Sequence, residues 1–341
     1  MGDGLAGACA ADALASAGLH VTLVSDGRPG ASTLAALVNP FTGPRASPAW
    51  RYAEALAAVD ALLARAGRTL RAGLFRPARD EKQATAFRAR AEAHPDALAW
   101  RDDAPSPDVR APFGRLDVRV GGVWHNPLGD LGRLLDRHAD AGRVERVRAT
   151  VVGMDVRADG VRLRTSGPAC EAEVAILATG AGLADLAPSL APHLHAVKGE
   201  VFEATHPQAA LLVPVAAGGY AVPVAADRVA LGGTYDHAWT DLVPDLARGE
   251  ALRQKLLAFL PGLGGLVPGT ARAGLRVQRP HVRRPLLEPL DPAGRVWALG
   301  GLGAKGLLHA PYVASLLPAA LRDPSSVPVE LGAGPLTGAG P

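Results

Sequence analysis

The stretch Gly2-Asp3-Gly4-Leu5-Ala6-Gly7 decides how this 341-residue chain folds. Its G-x-G-x-x-G spacing is followed by an alanine-rich amphipathic run over 6–17, a helix stop at Gly18 and the apolar run His20–Val24. This order of turn, helix and strand is typical of a dinucleotide-binding unit, because glycines let the backbone approach a pyrophosphate and the helix N-terminus attracts its charge. We therefore predict a dinucleotide-binding α/β domain; a chance cluster in a glycine-rich chain is the alternative.

The two ends of this unit need comment. Asp26 follows the second strand at about the spacing where an acidic residue hydrogen-bonds a ribose hydroxyl in such units. The first strand, in contrast, has no room: such a strand has about five or six residues, and Met1 supplies only the last of them. Because this strand is central and buried backbone groups are paired, we expect that the sequence starts late and that Met1 replaces an apolar strand residue.

The composition indicates an ordinary globular protein. Hydrophobic residues make up 48% and the net charge is only +3. No arginine run is interleaved with aromatic residues, so the composition does not support nucleic-acid binding. Cys9 and Cys170 lack C-x-x-C or metal-ligand spacing, which favours a reducing compartment and no metal site. No apolar stretch has membrane-spanning length and the N-terminus lacks a positive region, so we expect a cytoplasmic protein.

Further α/β segments lie in the middle and at the end of the chain. A buried strand over 173–178 enters a glycine turn at 178–182, and Val296–Leu299 enters the glycine turn 301–306 before a helix over 307–321. Residues 144–164 indicate a β-meander, and short strands separated by glycine and proline fill most of 196–275. We predict a Rossmann-like domain of residues 1–72, 118–193 and 277–330. An α+β substrate domain with a mainly antiparallel sheet (73–117 and 194–276) interrupts it, and 331–341 form a flexible tail.

Four segments in this order resemble the D-amino acid oxidase family of FAD-dependent oxidoreductases, over nearly the whole chain. They are the turn 2–7, the segment from Gly30-Ala-Ser32 to Leu37-Val-Asn-Pro-Phe-Thr-Gly43, the turn 178–182 and the stretch 301–308. Within the family, the chain is similar to glycine oxidase-like members and to the oxidase half of the bifunctional enzyme that modifies wobble uridine in tRNA. Two departures stand out. Ser25 holds the place of the usual acid, and Ala273–Arg276 continues Val-Gln-Arg-Pro-His281 where the family often has Pro and then Asp.

The resemblance implies that the Rossmann-like domain binds FAD, and the lack of a cysteine near Arg276 or Lys305 predicts that no thioether link holds it. The cofactor-binding residues that it implies are Gly2, Gly4, Leu5, Ala6, Gly7, Ser25, Asp26, Ser32, Ala36, Val151, Thr179, Gly180, Gly301, Gly303, Ala304, Lys305, Gly306 and Leu307. Lys305 and the helix N-terminus would stabilise the anionic reduced flavin. The alternative for Lys305 is a solvated helix-cap lysine.

Two substrate residues follow from the same resemblance. Arg276 would anchor a carboxylate, since guanidinium binds carboxylate bidentately; the alternative is a solvated surface arginine. Tyr220 would donate a hydroxyl from a strand of the substrate domain, or it is a half-buried strand tyrosine. Tyr235 is a similar but weaker candidate. His281 and His309 are taken as structural, because hydride transfer from a neutral amine requires no histidine.

The resemblance implies an FAD enzyme that oxidises a small amino acid or secondary amine to an imine by hydride transfer to flavin N5. Its electrons would pass to oxygen or to another acceptor. One alternative is an oxidoreductase that acts on a carboxymethylaminomethyl group of tRNA uridine, which needs a basic surface around the pocket. The other alternative is a degenerate, non-catalytic member.

Overall fold

The structure is a computed structural model that describes residues 1–28, 36–104, 109–205 and 213–334. The helices are α1 (Leu5–Ser16), α2 (Tyr52–Arg65), α3 (Glu81–Ala93), α4 (Pro127–Asp140), α5 (Leu183–Leu186), α6 (Leu246–Leu257) and α7 (Gly306–Ala320). The strands are β1 (Val21–Ser25), β2 (Ala36–Val38), β3 (Phe41–Thr42), β4 (Ser47–Pro48), β5 (Arg71–Pro77), β6 (Leu98–Arg101), β7 (Arg115–Trp124), β8 (Val144–Arg148), β9 (Val151–Val156), β10 (Val161–Thr165), β11 (Cys170–Ala172), β12 (Ala175–Leu177), β13 (His195–Thr205), β14 (Val215–Ala216), β15 (Tyr220–Ala225), β16 (Arg228–Gly232), β17 (Val267–Gln278), β18 (Leu286–Pro289) and β19 (Val296–Gly300).

The dinucleotide-binding part contains two parallel strand pairs with the N-terminus between them. β1 pairs with β8, and β12 pairs with β19, which also pairs antiparallel with β18. Gly2 N–H donates to Val24 O at 2.9 Å on one side, and Ala178 N–H donates to Met1 O at 3.0 Å on the other. Met1 and Gly2 thus connect the two strand pairs at the carboxyl ends of β1 and β12. The expectation of a further strand before Met1 stays a prediction.

The β-meander predicted over 144–164 is wrong in its first strand. β8 runs parallel to β1 in the dinucleotide-binding part, with Val21 opposite Val144. Only β9, β10 and β11 form an antiparallel sheet of their own. Since β8 and β9 are separated by only two residues, local pattern suggested one continuous meander, whereas the long-range pairing with β1 decides the topology.

The core of this part forms around α1, which packs against α7 and α4. Its alanines Ala8, Ala11 and Ala15 are almost fully buried, and small side chains of this kind let helices approach closely. Trp297 on β19 is completely buried in the same cluster. Cys9 lies there too, and burial raises the pKa of its thiol.

A mixed sheet of nine strands forms the second layer, and its main path is β17-β13-β16-β15-β14-β5-β7-β2. β6 joins it through β7, and most neighbours are antiparallel. The α/β class with a mainly antiparallel second sheet is therefore confirmed. The predicted domain boundaries at 72/73 and 117/118 fall inside β5 and β7, and the division into two domains stays a prediction.

The beginning of the predicted flexible tail is anchored. Leu331 is completely buried, and Arg279 donates to Glu330 O at 3.0 Å and to Gly332 O. Residues 335–341 lie outside the described residues. Among the helices of the described ranges, none is both long and apolar enough to cross a membrane.

Candidate cofactor and substrate site

In the first glycine turn, Gly7 lies in close contact with Gly2, whereas Gly4 faces open space among the described residues. A Cβ on Gly7 would lie 1.8 Å from the carbonyl oxygen of Gly2, so the start of α1 can sit this close to the turn only with glycine at position 7. A Cβ on Gly4 would have no described atom within 4 Å. Gly4 is the N-cap of α1, where the backbone N–H groups of a helix are free to bind an anion. The turn therefore has the shape that a pyrophosphate site needs.

The turn after β12 meets this first turn. A Cβ on Gly2, whose φ is 85°, would lie 2.7 Å from Ala178 O. The next residue, Thr179, has a buried hydroxyl with no hydrogen-bond partner in the part of the chain that the structure describes. A buried hydroxyl normally finds a partner, so Thr179 is placed to bond a ligand between the two turns. Gly180 follows it with φ of 57° and open space around its Cβ position.

The end of β1 carries the residues predicted to hold the ribose. Ser25 Oγ accepts a hydrogen bond from Gly27 N–H at 2.9 Å, and Asp26 pairs with Arg28 at 3.0 Å. The sequence did not predict either contact. The carboxylate of Asp26 remains partly exposed beside Arg28. The guanidinium of Arg148, at the end of β8, lies where a Cβ of Gly27 would be. Sequence reasoning missed Arg148, because only the pairing of β8 with β1 brings it here.

A cleft of about 380 Å³ opens beside this end of β1. Asp3, Ser25 and Arg148 line it, together with residues of α4 and β8. Ala149 N–H donates to Ser25 O at 3.0 Å, and this contact places Val151, the first residue of β9, near the same edge. Of the residues predicted to hold the ribose, Ser25 lines this cleft, and Asp26 follows it directly in the chain.

The last glycine turn reaches both the first turn and the substrate sheet. A Cβ on Gly306 would lie 3.1 Å from Leu5 Cδ2, and one on Gly303 would lie 3.3 Å from Gln278 Cβ. Turns at opposite ends of the chain, 2–7 and 301–306, therefore converge. Gly301 has φ of 61° and packs against the side chain of Arg279. Ala304 is exposed and Leu307 is half-buried.

Two titratable groups mark the start of α7. Burial, assisted by the nearby charge of Arg283, lowers the pKa of Lys305. His309, one turn further along, donates from Nε2 to Trp50 O at 3.0 Å, and burial lowers its pKa to about 4. His309 is therefore neutral at neutral pH and structural, as predicted.

Arg276 and Tyr220 project from one face of the large sheet. Arg276 is opposite Val197, Tyr220 is opposite Gly232, and Gly232 is opposite Val201. Because side chains alternate along a strand, positions 197 and 201 of β13 point to the same face. Burial raises the pKa of Tyr220 to about 12, against the opposing charge of Arg276, so its hydroxyl remains a proton donor.

The guanidinium of Arg276 is held in place on this face. Its Nη1 donates to Thr234 O at 2.8 Å, and its Cζ lies 4.8 Å from the ring centre of Tyr235. Gln278, two residues further along β17, contacts the 301–306 turn, so Arg276 lies on the same side of the sheet as that turn. His195 and His237 also belong to this face, with Nε2 and Nδ1 3.2 Å apart. Sequence reasoning had no signal for the histidine pair.

Two of the predicted cofactor-binding residues, Ser32 and Ala36, belong to the segment between β1 and β3. Ser32 lies outside the described residues, and Ala36 is described as the first residue of β2, paired with Trp124, without its side chain. The segment that follows is fixed by a buried arginine that sequence reasoning missed. Arg76 donates to Phe41 O at 2.7 Å and to Gly43 O at 2.6 Å, and burial lowers its pKa to about 10.

These features define a class of protein: a dinucleotide-binding α/β fold whose glycine turns converge beside a sheet that carries a fixed arginine. The residues fit a dinucleotide: among the described residues, Gly4 leaves open space at the N-terminus of α1, and the buried hydroxyl of Thr179 in the adjoining turn has no partner. The chain belongs to the FAD dependent oxidoreductase family DAO, whose family model matches residues 1–319. The family is FAD dependent, so the predicted cofactor and family are confirmed.

Curated relatives are similar over the whole chain but are longer. A protein of Caulobacter sp. (strain K31) named "tRNA 5-methylaminomethyl-2-thiouridine biosynthesis bifunctional protein MnmC" is 34% identical over 357 residues, covering 98% of this chain and 56% of the relative. The protein of the same name from Caulobacter vibrioides is 31% identical over 361 residues, covering 97% and 55%. The chain thus spans about half the length of these relatives.

Solved structures confirm the fold. Glycine oxidase from Geobacillus kaustophilus superposes with a TM-score of 0.81 at 20% identity, covering 99% of this chain and 98% of that one. Iminodiacetate oxidase from Chelativorans sp. BNC1 gives a TM-score of 0.76 at 23% identity, covering 94% of each chain.

Proposed function

We propose that this FAD-dependent oxidoreductase oxidises a small amino acid, or a secondary amine that carries a carboxylate, to the corresponding imine. The observation that carries this proposal is the guanidinium of Arg276, held between Thr234 O and Tyr235 beside the 301–306 turn. A fixed guanidinium can bind a carboxylate through two parallel N–H groups. The chemistry that FAD supplies when bound is hydride acceptance from the carbon beside the amine nitrogen.

The other residues would bind, orient and supply charge. The turns 2–7 and 178–182 would hold the pyrophosphate, and Lys305 with the N-terminus of α7 would place positive charge beside the redox-active ring. Tyr220, protonated at neutral pH, would donate a hydrogen bond to the bound substrate. We propose that FAD is held without a covalent bond and that oxygen, or another acceptor, takes the electrons.

A substrate panel tests this proposal. We expect hydrogen peroxide from at least one of glycine, sarcosine, proline and D-amino acids, or anaerobic bleaching of the flavin absorbance if oxygen is not the acceptor. Arg276→Lys keeps the charge but loses the fork of donors, so the KM should rise about tenfold or more, the size of one hydrogen bond to a charged group. A protein that turns over none of these compounds contradicts the proposal, and one that stays colourless with added FAD contradicts every enzyme hypothesis.

A second candidate is the same chemistry on a carboxymethylaminomethyl group of tRNA uridine. Two observations favour it: the names of the relatives above, and a basic turn beside the site. His281 and Arg283 are exposed in that turn, and the charge of Arg283 acts on Lys305. The turn occupies the stretch where the sequence departs from the family pattern.

Binding to tRNA separates the two candidates. If the second holds, the protein binds tRNA with an affinity that falls steeply with salt, and the double variant Arg283→Ala with Arg284→Ala lowers the salt slope by about 2. Arg157→Ala with Arg162→Ala, at exposed positions directly after β9 and on β10, serves as the control pair. Equal slopes for the two double variants would leave only the small-amine function.

A further inference from the structure

The seat of the Arg276 guanidinium is built by one tripeptide of β13, Lys198-Gly199-Glu200. A Cβ on Gly199 would lie 1.9 Å from Arg276 Nη1, so the guanidinium occupies the space that a side chain at position 199 would fill. The ring of Tyr235 and the carbonyl of Thr234 complete this seat. Gly199 does not have a positive φ, so the backbone conformation does not require glycine at this position. Glycine is needed here because the guanidinium of Arg276 fills the space of a side chain.

Glu200 fixes the segment that carries the other two contacts. Its carboxylate is 1% exposed and accepts a hydrogen bond from Asp245 N–H at 3.0 Å and from the Thr234 hydroxyl at 3.4 Å. Its own N–H donates to Thr234 Oγ1 at 2.7 Å. Both ends of the segment 234–245 are thus tied to one buried carboxylate on the face of the sheet opposite to Arg276.

Lys198 compensates the negative charge of the buried Glu200 carboxylate. Its ammonium lies 3.4 Å from Glu200 Oε1 and donates to Val243 O at 2.5 Å, in the middle of the same segment. Asp241 lies 3.5 Å from it. A buried carboxylate is costly unless it is paired and hydrogen-bonded, so retaining it here has a reason other than packing. Glu200 thus holds Thr234, and the carbonyl oxygen of Thr234 accepts the hydrogen bond from Arg276.

We propose that Lys198-Gly199-Glu200 is a positioning unit that sets the orientation of Arg276 and thereby the selectivity of the site for carboxylate ligands. Gly199 clears the space for the guanidinium, and the Lys198–Glu200 pair holds the Thr234 carbonyl that aims it. The inference rests on the proposed function in one respect, namely that the anion held by Arg276 is the carboxylate of the substrate.

The first experiment needs no ligand. Hydrogen–deuterium exchange is compared among the wild-type protein, Glu200→Gln and the matched control Glu203→Gln. Glu203 lies on the same strand as Glu200 and forms an ion pair with Arg228 of β16. We expect amides in 234–245 to exchange about tenfold faster in Glu200→Gln, the size of one lost hydrogen bond to a charged group, and to be unchanged in Glu203→Gln. Equal exchange in the two variants would overturn the inference.

The second experiment measures selectivity with glycolate and its neutral analogue glycolamide, by their perturbation of the visible spectrum of the FAD-loaded protein. In Glu200→Gln and Gly199→Ala we expect glycolate affinity to fall about tenfold while glycolamide affinity is unchanged. Gly199→Ala should keep or raise the thermal unfolding midpoint, because alanine loses less backbone freedom than glycine on folding. A purely structural role would instead lower the midpoint and weaken both ligands equally, which would overturn the inference.

The two proposals fail differently. If the wild-type protein does not bind glycolate, the carboxylate anchor and the proposed function are wrong, and the exchange comparison still decides whether Glu200 fixes the 234–245 segment. If glycolate binds and Gly199→Ala leaves its affinity unchanged, the positioning unit is wrong and the proposed function stands.

Discussion

At the scale of single residues, what distinguishes the candidate anchor from other arginines is how its donors are used. Within the described residues, Arg279 donates to three backbone carbonyls and Arg76 to two, so both hold the chain together. Arg276 donates there to one carbonyl only, and its guanidinium lies against an aromatic ring. An arginine that is fixed but not saturated is suited to bind an anion.

Thr179 shows the opposite case, because its buried hydroxyl has no hydrogen-bond partner among the residues that the structure describes. Removing an unsatisfied buried hydroxyl should not destabilise a protein and can stabilise it by about 1 kcal/mol. We therefore expect Thr179→Val to leave the unfolding midpoint of the FAD-free protein unchanged or higher, but to reduce the rise in midpoint that added FAD produces. Thermal unfolding with and without FAD measures both effects. The control is Thr22→Val, at an exposed position of β1, and a destabilised FAD-free Thr179→Val would show that the hydroxyl has a structural partner instead.

At the scale of elements, the two glycines at the start of α1 predict different phenotypes. Gly7→Ala would force a Cβ to 1.8 Å from Gly2 O, so helix and turn must separate, at a cost of about 1–3 kcal/mol. Gly4→Ala meets no described atom, so the unfolding free energy of the FAD-free protein should change by less than about 0.5 kcal/mol. FAD binding should nevertheless weaken in Gly4→Ala, because the new methyl group stands where the pyrophosphate would approach. Denaturant unfolding and fluorescence titration with FAD check this pair, and equal stability loss in both variants would contradict it.

The elements also show how far sequence reasoning reaches. The glycine turns, α1 and α7 follow from local spacing, so their positions could be predicted within a few residues. What could not be predicted depends on strand pairing between distant segments. The contact of Arg148 with Gly27 requires β8 to pair with β1, and the seat of Arg276 requires residues 198–200, 234–235 and 276 to lie side by side. The burial of Glu200 gives no signal in sequence, because Thr234 and Asp245, which donate hydrogen bonds to its carboxylate, lie more than thirty residues away.

At the scale of the whole molecule, the convergence of the turns makes the ends of the chain depend on each other. α7 begins at the last glycine turn, packs against α1 and α2, and is tied to the segment before α2 by the bond from His309 to Trp50. A change at residue 309 should therefore affect the stability of the dinucleotide-binding part, because His309 links α7 to the segment before α2. The ring is neutral in the folded protein at neutral pH, because burial disfavours its charged form more than the hydrogen bond to Trp50 O favours it.

The neutral state of this ring predicts how stability depends on pH. The pKa of His309 is lowered from 6.5 to about 4 in the folded protein, so between these values the unfolded chain binds a proton that the folded chain does not. Stability is then full above about pH 6.5 and falls as the pH drops towards 4, by at most about 3 kcal/mol. His309→Gln places an N–H donor at the position of Nε2, which bonds Trp50 O, but does not titrate, so its unfolding midpoint should fall less between pH 7 and pH 4.5 than that of the wild-type protein. His20→Asn, at an exposed position, should keep the wild-type slope. If all three proteins lose stability in parallel, the proton uptake belongs to other groups and the buried ring of His309 does not couple α7 to the rest of the fold.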